Sequence, residues 1–263
     1  MNDRVTIGQY IPGNSPVHRL DPRVKIVLTL VFMIGIFFID RFLGLGVIAA
    51  AIFGVVLLSG VPVKRILKGL RPLIMILLFT TALNLFLTPG KEVASFWIFH
   101  ITEEGIYRSV FMTCRIALLV FGTTLLTLTT SPLALTDGIE ALLRPLTVIH
   151  FPAHELAMMI SIALRFIPTL FEEADKIMRA QKARGADFDT GNMFHRAKAM
   201  IPLLVPLFLN AINRADDLGR AMEARCYRGG TGRTRLNPLR MTTGDIVCLI
   251  LVTLFFVVVG YFL

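Results

Sequence analysis

Two stretches of the chain carry the same charged pattern, and every matched position is offset by 41 residues. Each stretch holds an aspartate, an arginine four residues later, and a final arginine between two small residues. The positions are Ala174, Asp175, Arg179, Ala180, Ala183, Arg184 and Gly185 in the first copy and Ala215, Asp216, Arg220, Ala221, Ala224, Arg225 and Cys226 in the second. A guanidinium group binds a carboxylate through two parallel hydrogen bonds. The repeat therefore predicts two equivalent basic tips that dock into acidic grooves on two similar partner proteins.

A single arginine at such a position has a simpler explanation. The helix dipole alone favours a cation near a helix C-terminus, so one copy of the pattern would indicate ordinary capping. Two matched copies favour a pair of binding tips instead. In each copy the aspartate and the first arginine have the spacing of a helical ion pair, which would stabilise the last turns by a few tenths of a kcal/mol. Gly185 is expected to end the first helix, and Gly229 with Gly230 the second.

No other residue pattern in the chain indicates catalysis or metal binding. The sequence has no HExxH metal motif, no glycine-rich phosphate loop and no Gly-x-Ser-x-Gly nucleophile turn. His150 and His154 have helical spacing, but the Phe-Pro pair between them argues against one continuous helix. Neither a cofactor nor a metal ion is expected. The three cysteines form neither a CxxC pair nor a Cys/His cluster: Cys114, Cys226 and Cys248.

Three helices are predicted to position the repeat. A short one begins at Ser131-Pro132 and ends near Arg144, and two long ones run from about Ala153 to Arg184 and from about Met193 to Arg225. Pro168, Pro202 and Pro206 are expected to kink or break the long helices. Each long helix carries an apolar stripe with alternating spacings of three and four residues, which is typical of helices that pack side by side. The stripes are Leu156, Ile160, Ala163, Ile167, Leu170, Ala174 and Ile177, and Ile201, Leu204, Phe208, Ala211, Ala215, Leu218 and Met222.

The remaining sequence consists mostly of long apolar blocks. Hydrophobic residues make up 55% of the chain and charged residues 17%, which is the composition of a membrane protein. We therefore predict an all-α polytopic membrane protein. Residues 1–130 would hold the N-terminal segment and four spans, 131–242 a cytosolic helical domain, and 243–263 a last span. The predicted spans are Ile26–Ile39, Phe42–Leu58, Leu73–Leu87, Gly105–Leu128 and Gly244–Leu263.

Lysine and arginine sort to one side of these five spans. Four precede the first span, four lie between residues 60 and 72, and fifteen lie between residues 131 and 242. The two opposite connections hold only Arg41 and Lys91. The positive-inside rule then places the N-terminus and the 131–242 domain in the cytosol of a bacterial plasma membrane and the C-terminus outside. The net charge of +9 is accounted for by the membrane surface and acidic protein partners, so no nucleic acid is expected as a partner.

Polar and small residues within the spans mark further positions of interest. Gly46, Ala50 and Gly54 follow one another at intervals of four residues, which lets helices approach closely in lipid. The stripe predicts either tight packing inside the bundle or a smooth surface for a membrane partner. Arg115 and Asn84 lie within apolar spans, where a polar group is either functional or hydrogen-bonded to a neighbouring span.

These features together resemble the transmembrane T component (EcfT type) of energy-coupling factor (ECF) transporters, over essentially the whole chain. The matching segments are Gln9-Tyr10-Ile11-Pro12-Gly13, His18-Arg19-Leu20-Asp21-Pro22-Arg23 with Lys25, Ala183-Arg184-Gly185 and Ala224-Arg225-Cys226. The resemblance implies a non-catalytic subunit that assembles with two ABC-type ATPases and a membrane-embedded S component, which binds a vitamin or another micronutrient. It also implies two long, crossing coupling helices, with Arg184 docking in one ATPase and Arg225 in the other.

Cys226 departs from this family pattern, which more often has glycine at the end of the second motif. A cysteine adopts a left-handed cap less easily than glycine, so Gly229 and Gly230 are expected to take over the turn.

Two other functions remain open from the residues alone. One is a polytopic membrane enzyme with its active site in the cytosolic domain, although no nucleophile–base pattern is present there. The other is a channel or carrier that acts alone, although few ionisable residues lie within the spans. Retention of ATPases by the purified chain would distinguish the coupling subunit from both.

Overall fold

The computed structural model describes residues 10–96, 99–149, 151–186, 188, 192–229 and 238–262. The described chain divides into two compact units, one of residues up to 142 and from 238 onward, the other of residues 143 to 229. Its helices and strands are α1 Pro16–Arg19, α2 Pro22–Gly35, α3 Phe42–Ser59, α4 Val63–Leu70, α5 Ile74–Leu87, β1 Glu92–Phe96, β2 Phe99–Thr102, α6 Glu103–Thr129, α7 Pro132–Leu143, α8 Ala153–Ala183, α9 Met193–Ala224 and α10 Thr243–Phe262.

The first unit is a helical bundle built around α6. The other long helices α2, α3, α5 and α10 pack against α6 or against one another. Its main core joins residues of four helices and the α2–α3 connection: Phe32, Ile36, Ile39, Leu45, Ile48, Phe111, Leu118 and Val259. Many large apolar side chains point outward instead, including Leu43 and Phe79. Such a surface suits a lipid environment, because hydrocarbon chains solvate apolar side chains that water does not.

Within the described part of the chain, five helices are long and apolar enough to cross a membrane: α3, the continuous helical segment Val63–Leu87, α6, α8 and α10. All but α8 overlap predicted spans, although Val63–Leu87 also includes the basic stretch that precedes the predicted span Leu73–Leu87. The exception, α8, belongs to the segment that the charge pattern assigns to the cytosol. The composition of α8 is apolar enough for a membrane span because few charged residues lie along much of its length. The predicted first span is not among these five helices. Its helix α2 is too short, because it ends at Gly35 and is extended only by a 3₁₀ turn, Ile36–Phe38.

The prediction of an all-α fold is confirmed, with one small addition. Strands β1 and β2 pair antiparallel between α5 and α6, in the segment predicted to be a polar connection. Thr102 at the end of β2 joins this hairpin to both helices. Its hydroxyl donates to the carbonyl of Thr88 at 2.8 Å and accepts from the backbone N–H of Gly105 at 3.0 Å. The second of these bonds caps the N-terminus of α6.

The short helix α7 belongs to the first unit, although the predicted domain boundary lay before it. Gly138 of α7 packs closely on α2, where an added Cβ would lie 3.0 Å from Ile26 and 3.2 Å from Pro22. The two compact units divide after residue 142.

The second unit consists mainly of α8 and α9, which contact each other around Leu170, Ala211 and Leu218 of the apolar stripes. Other stripe residues, including Ile160 and Leu204, are exposed. At 1.5 Å per residue each is roughly 45–50 Å long. Pro168 lies inside α8, and Pro202 and Pro206 lie inside α9, and both helices continue through them. These prolines were expected to kink or break the helices, and the structure excludes a break. Neighbouring turns keep enough backbone hydrogen bonds to carry the helix past a missing N–H.

Candidate functional site

The first predicted tip lies where α8 ends. Ala183 is the last helical residue, and Arg184 occupies the C-cap. Gly185 adopts a left-handed conformation with φ of +88°. The backbone N–H of Gly185 donates to the carbonyl of Lys182 at 3.0 Å, and that of Ala186 to Gln181 at 2.9 Å. This pair of bonds is a Schellman closure, which satisfies carbonyls that the end of a helix leaves free.

The second tip closes in the same way at the end of α9. The backbone N–H of Cys226 donates to the carbonyl of Glu223 at 2.8 Å, and that of Tyr227 to Met222 at 3.0 Å. Each of these four residues is offset by 41 from its counterpart at the first tip. The repeat seen in the sequence is thus also a repeat of backbone structure, and Arg225 takes the place that Arg184 takes in α8.

Cys226 itself supplies the left-handed residue of the second closure, with φ of +56°. The expectation that Gly229 and Gly230 would take over this turn is therefore wrong for the cap. Gly229 has its own left-handed conformation, with φ of +89°, and Gly230 lies outside the described residues. A side chain in this conformation costs about 1–2 kcal/mol. The two hydrogen bonds of the closure hold Cys226 there.

Both tips present their motif residues to solvent. The side chains of Arg184 and Arg225 are exposed, as are the residues on either side of each. The four side chains of the predicted helical ion pairs are also exposed, and in the structure neither Asp175 with Arg179 nor Asp216 with Arg220 forms an ion pair. Open pairs of this kind change helix stability little. The tips therefore offer free guanidinium groups on a well-ordered backbone.

An ion pair that the sequence reasoning missed joins the two helices. The Nη2 atom of Arg214 donates to the Oε1 atom of Glu173 at 2.8 Å. These residues are themselves 41 positions apart, so they occupy equivalent places in the repeat. The 41-residue offset was therefore the sequence signal from which this contact could have been predicted.

The small-residue stripe of α3 faces outward. A Cβ added to Gly46 or Gly54 would meet no atom within 4 Å, and Ala50 is exposed. Of the two interpretations, tight packing inside the bundle does not describe this face. Gly46 also borders an apolar cavity of about 370 Å³ between α3 and α6. The cavity is lined by Phe42, Leu45, Gly46, Ala49, Cys114, Ala117, Leu118 and Phe121.

Arg115 is buried in α6 and fastens the turn between α2 and α3. Its guanidinium donates to the backbone carbonyl of Ile39 and lies 3.6 Å from a carboxylate oxygen of Asp40. The same group lies 4.7 Å from the ring centroid of Phe111 and 5.9 Å from that of Phe37, as in cation–π contacts. These contacts give Arg115 a structural role.

Asn84 is bonded within its own helix and not to a neighbouring span. Its Nδ2 atom donates to the carbonyl of Thr80 at 2.9 Å. The polar link between α5 and α6 is made instead by the hydroxyls of Thr81 and Thr113, which are 2.6 Å apart.

The N-terminal motif forms a buried network at one end of the bundle. The Nζ atom of Lys25 donates to the carbonyls of His18 at 3.0 Å and Thr129 at 3.1 Å, which ties α2 to the end of α6. Asp21 caps α2 by accepting from the backbone N–H of Arg23 at 2.9 Å. Lys25 and Asp21 are only 7% and 5% exposed, so these residues serve the packing of the bundle.

The comparisons with known proteins agree with one another. Residues 13–236 match the family described as CbiQ, cobalt transport protein. Three relatives share the name energy-coupling factor transporter transmembrane protein EcfT. The one from Thermosediminibacter oceani is 57% identical over 94% of this chain and 93% of its own length. Those from Ruminiclostridium cellulolyticum and Listeria innocua are 52% and 48% identical, over 92% and 95% of this chain and 91% and 95% of their own lengths.

The match extends over both units, and it includes the N-terminal network and both helix tips. An identity of about half over nearly the full length of both proteins leaves no large part of the chain outside the alignment. The chain is a multi-pass membrane protein that belongs to the EcfT family, the transmembrane components of energy-coupling factor transporters.

Proposed function

We propose that this chain couples two ABC-type ATPases to a membrane-embedded S component and so drives the uptake of a vitamin or another micronutrient. In this proposal the chain is not itself an enzyme, and the ATPases hydrolyse the ATP. The observation that carries it is the matched closure of α8 and α9, which presents Arg184 and Arg225 on equivalent backbone. Two equal tips suit two similar partners.

The chemistry of the tips favours an acidic receptor. At each tip, backbone N–H groups already bond carbonyls at the helix end, so the arginine side chain is not needed to cap them. Its guanidinium is therefore free to bind a carboxylate through a bidentate pair of hydrogen bonds. Ala183 and Ala224 before the arginines are small, which lets a partner surface approach the backbone closely. Motion of the ATPases would then reach α8 and α9 through short charged contacts at their ends.

Rigid helices suit the transmission of that motion. Both α8 and α9 run unbroken for more than thirty residues, and they contact each other through apolar side chains and the Glu173–Arg214 pair. A push at the tips would therefore move the helices as bodies. The S component would change its orientation in response.

We place the N-terminus and the tips on the cytosolic side and the C-terminus outside. The sorting of lysine and arginine supports this orientation. The tips must lie in the cytosol in this proposal, because the ATPases bind ATP there. For the S component we propose the open face of α3 around Gly46, Ala50 and Gly54, where small residues border an apolar cavity in the membrane unit.

Co-purification of the tagged chain with its ATPases tests the proposal. The double variant Arg184→Glu, Arg225→Glu should lose both ATPases, by about tenfold or more, while it inserts normally. The control is Arg179→Glu with Arg220→Glu, which reverses the same charges on exposed arginines five residues earlier in the same helices. This control should retain the ATPases.

The single variants separate the two docking sites. Arg184→Glu alone should weaken the binding of one ATPase, and Arg225→Glu alone that of the other. Equal loss of both ATPases from one single variant contradicts separate docking. Retention of both ATPases by the double variant, or turnover of a substrate by the isolated chain, contradicts the proposal as a whole.

A further inference from the structure

The ion pair between Glu173 and Arg214 occupies a special place in the repeat. The offset of 41 residues that relates the two helix tips also relates these two side chains. Arg184 lies eleven residues after Glu173, and Arg225 lies eleven residues after Arg214. Each tip is thus about 16 Å along its own helix from the same point of contact. The two helices extend beyond the ion pair by equal lengths.

The contact between α8 and α9 near this point is otherwise loosely filled. A cavity of about 150 Å³ lies between the two helices. It is lined by Ile162, Phe166, Leu170, Ala211, Arg214, Ala215 and Leu218. Apolar side chains around a cavity define the relative position of two helices weakly, because small slides change their contacts little. A directional bond is needed to select one register.

The charge of Glu173 depends on this one partner. Its Oε1 atom accepts from Arg214, and its Oε2 atom is buried without a hydrogen-bond partner among the described residues. The Glu173 and Arg214 side chains are 21% and 35% exposed, so the pair is partly shielded from water. A partly buried carboxylate that loses its cationic partner keeps its desolvation cost without a compensating ion pair. This cost favours rearrangement of the helices around the carboxylate.

We infer that the Glu173–Arg214 ion pair sets the register between α8 and α9 and thereby the positions of the two tips relative to each other. Glu173 and Arg214 are positioning residues in this inference, since they act through Arg184 and Arg225, which they hold at matched places. This inference rests on the proposed function for its consequence in transport. Its structural part concerns the chain alone.

The structural part is tested by the distance between spin labels on the full chain in detergent. Labels are attached through Arg179→Cys and Arg220→Cys, with Cys114→Ala, Cys226→Gly and Cys248→Ala in the background. The parental pair should give a narrow distance distribution by double electron–electron resonance. Glu173→Gln and Arg214→Gln should each widen or shift it. The controls Glu172→Gln and Asp217→Asn remove exposed charges nearby and should leave it unchanged.

Exchange of the two charges provides the decisive comparison. The variant Glu173→Arg with Arg214→Glu should restore a narrow distribution. A second variant, Glu173→Met with Arg214→Met, keeps side-chain length without charge, and its distribution should be wide. The inference is overturned if the single glutamine variants match the parent, if the exchanged pair remains as wide as they do, or if the methionine pair is narrow.

The transport consequence is measured in the reconstituted complex of this chain with its ATPases and S component. The single glutamine variants should keep both ATPases bound but lower substrate uptake per ATP hydrolysed by about threefold, and the exchanged pair should recover it. An unchanged ratio in the single variants contradicts the inference. Failure of the parental chain to retain ATPases would instead contradict the proposed function, while the label distances still decide what the ion pair does.

Discussion

The carboxylate of Asp245 accepts a hydrogen bond at 3.1 Å from the backbone N–H of Asp21, although the two residues are 224 positions apart. Its other oxygen accepts from the backbone N–H and the hydroxyl of Thr242, both at 2.8 Å, which caps the start of α10. One buried side chain thus holds the last helix of the bundle to the start of α2.

Asp245→Ala should therefore destabilise the first unit, the helical bundle around α6. It removes the acceptor of three hydrogen bonds at a site that is 4% exposed, and buried donors left unpaired cost about 1–3 kcal/mol each. We expect the melting temperature of the full chain in detergent to fall by several degrees. Asp217→Ala, at an exposed position of α9, is the control and should change it little. Equal melting temperatures for both variants would show that this network contributes nothing.

Removal of Arg115 should loosen the turn between α2 and α3. Arg115→Leu fits an apolar span, but it leaves the carbonyl of Ile39 without its donor. We expect lower thermal stability in detergent and faster proteolysis at the α2–α3 turn. Arg108→Leu removes an exposed arginine from the same helix and should leave both measurements unchanged. If Arg108→Leu is the more harmful of the two, Arg115 does not have this structural role.

The two helix tips should respond in opposite directions to exchanges of their left-handed residues. Gly185→Ala forces a Cβ into a left-handed conformation and should destabilise the end of α8 by about 1 kcal/mol, whereas Cys226→Gly relieves the same strain in α9. Hydrogen–deuterium exchange of the peptides ending near residues 186 and 227 measures both effects. Slower exchange after Gly185→Ala, or faster exchange after Cys226→Gly, would contradict the strain argument.

Two glycines of the bundle should differ sharply in their tolerance of a side chain. A Cβ on Gly122 would overlap the ring of Phe32, so Gly122→Ala should lower the yield of folded chain. Gly46 has open space around it, so Gly46→Leu should fold normally and fill the α3 face. In a co-expressed complex, Gly46→Leu should retain the ATPases and lose the S component. Full retention of the S component would remove this face from the proposed interface.

The sequence predicts the ends of α8 and α9 well because their signals are local. The position of a helix end depends on residues within one or two turns of it, and the 41-residue offset is visible without any knowledge of packing. The same locality explains the error at Cys226. Glycine is the usual left-handed residue, and only the backbone bonds to Glu223 and Met222 show that a cysteine takes its place.

The partners of the polar residues within the bundle could not be read from the sequence. Asp21 and Asp245 carry no pattern that relates one to the other, and His18 gives no sign that its carbonyl accepts from a lysine. Such contacts depend on how helices far apart in sequence pack together. His18, Asp21 and Lys25 were found through family resemblance, which supplies a motif without its physical reason, and Asp245 was not predicted.

By itself, the sequence determined that the chain is a helical membrane protein and that two long helices end in duplicate arginine motifs. These properties follow from composition and from spacing along one chain segment. Tertiary structure alone decided that α7 joins the membrane unit, that the stripe of α3 faces outward, and that Glu173 meets Arg214. Those outcomes depend on which surfaces meet, and a helix with several apolar or charged faces does not specify its neighbour until the whole bundle is packed.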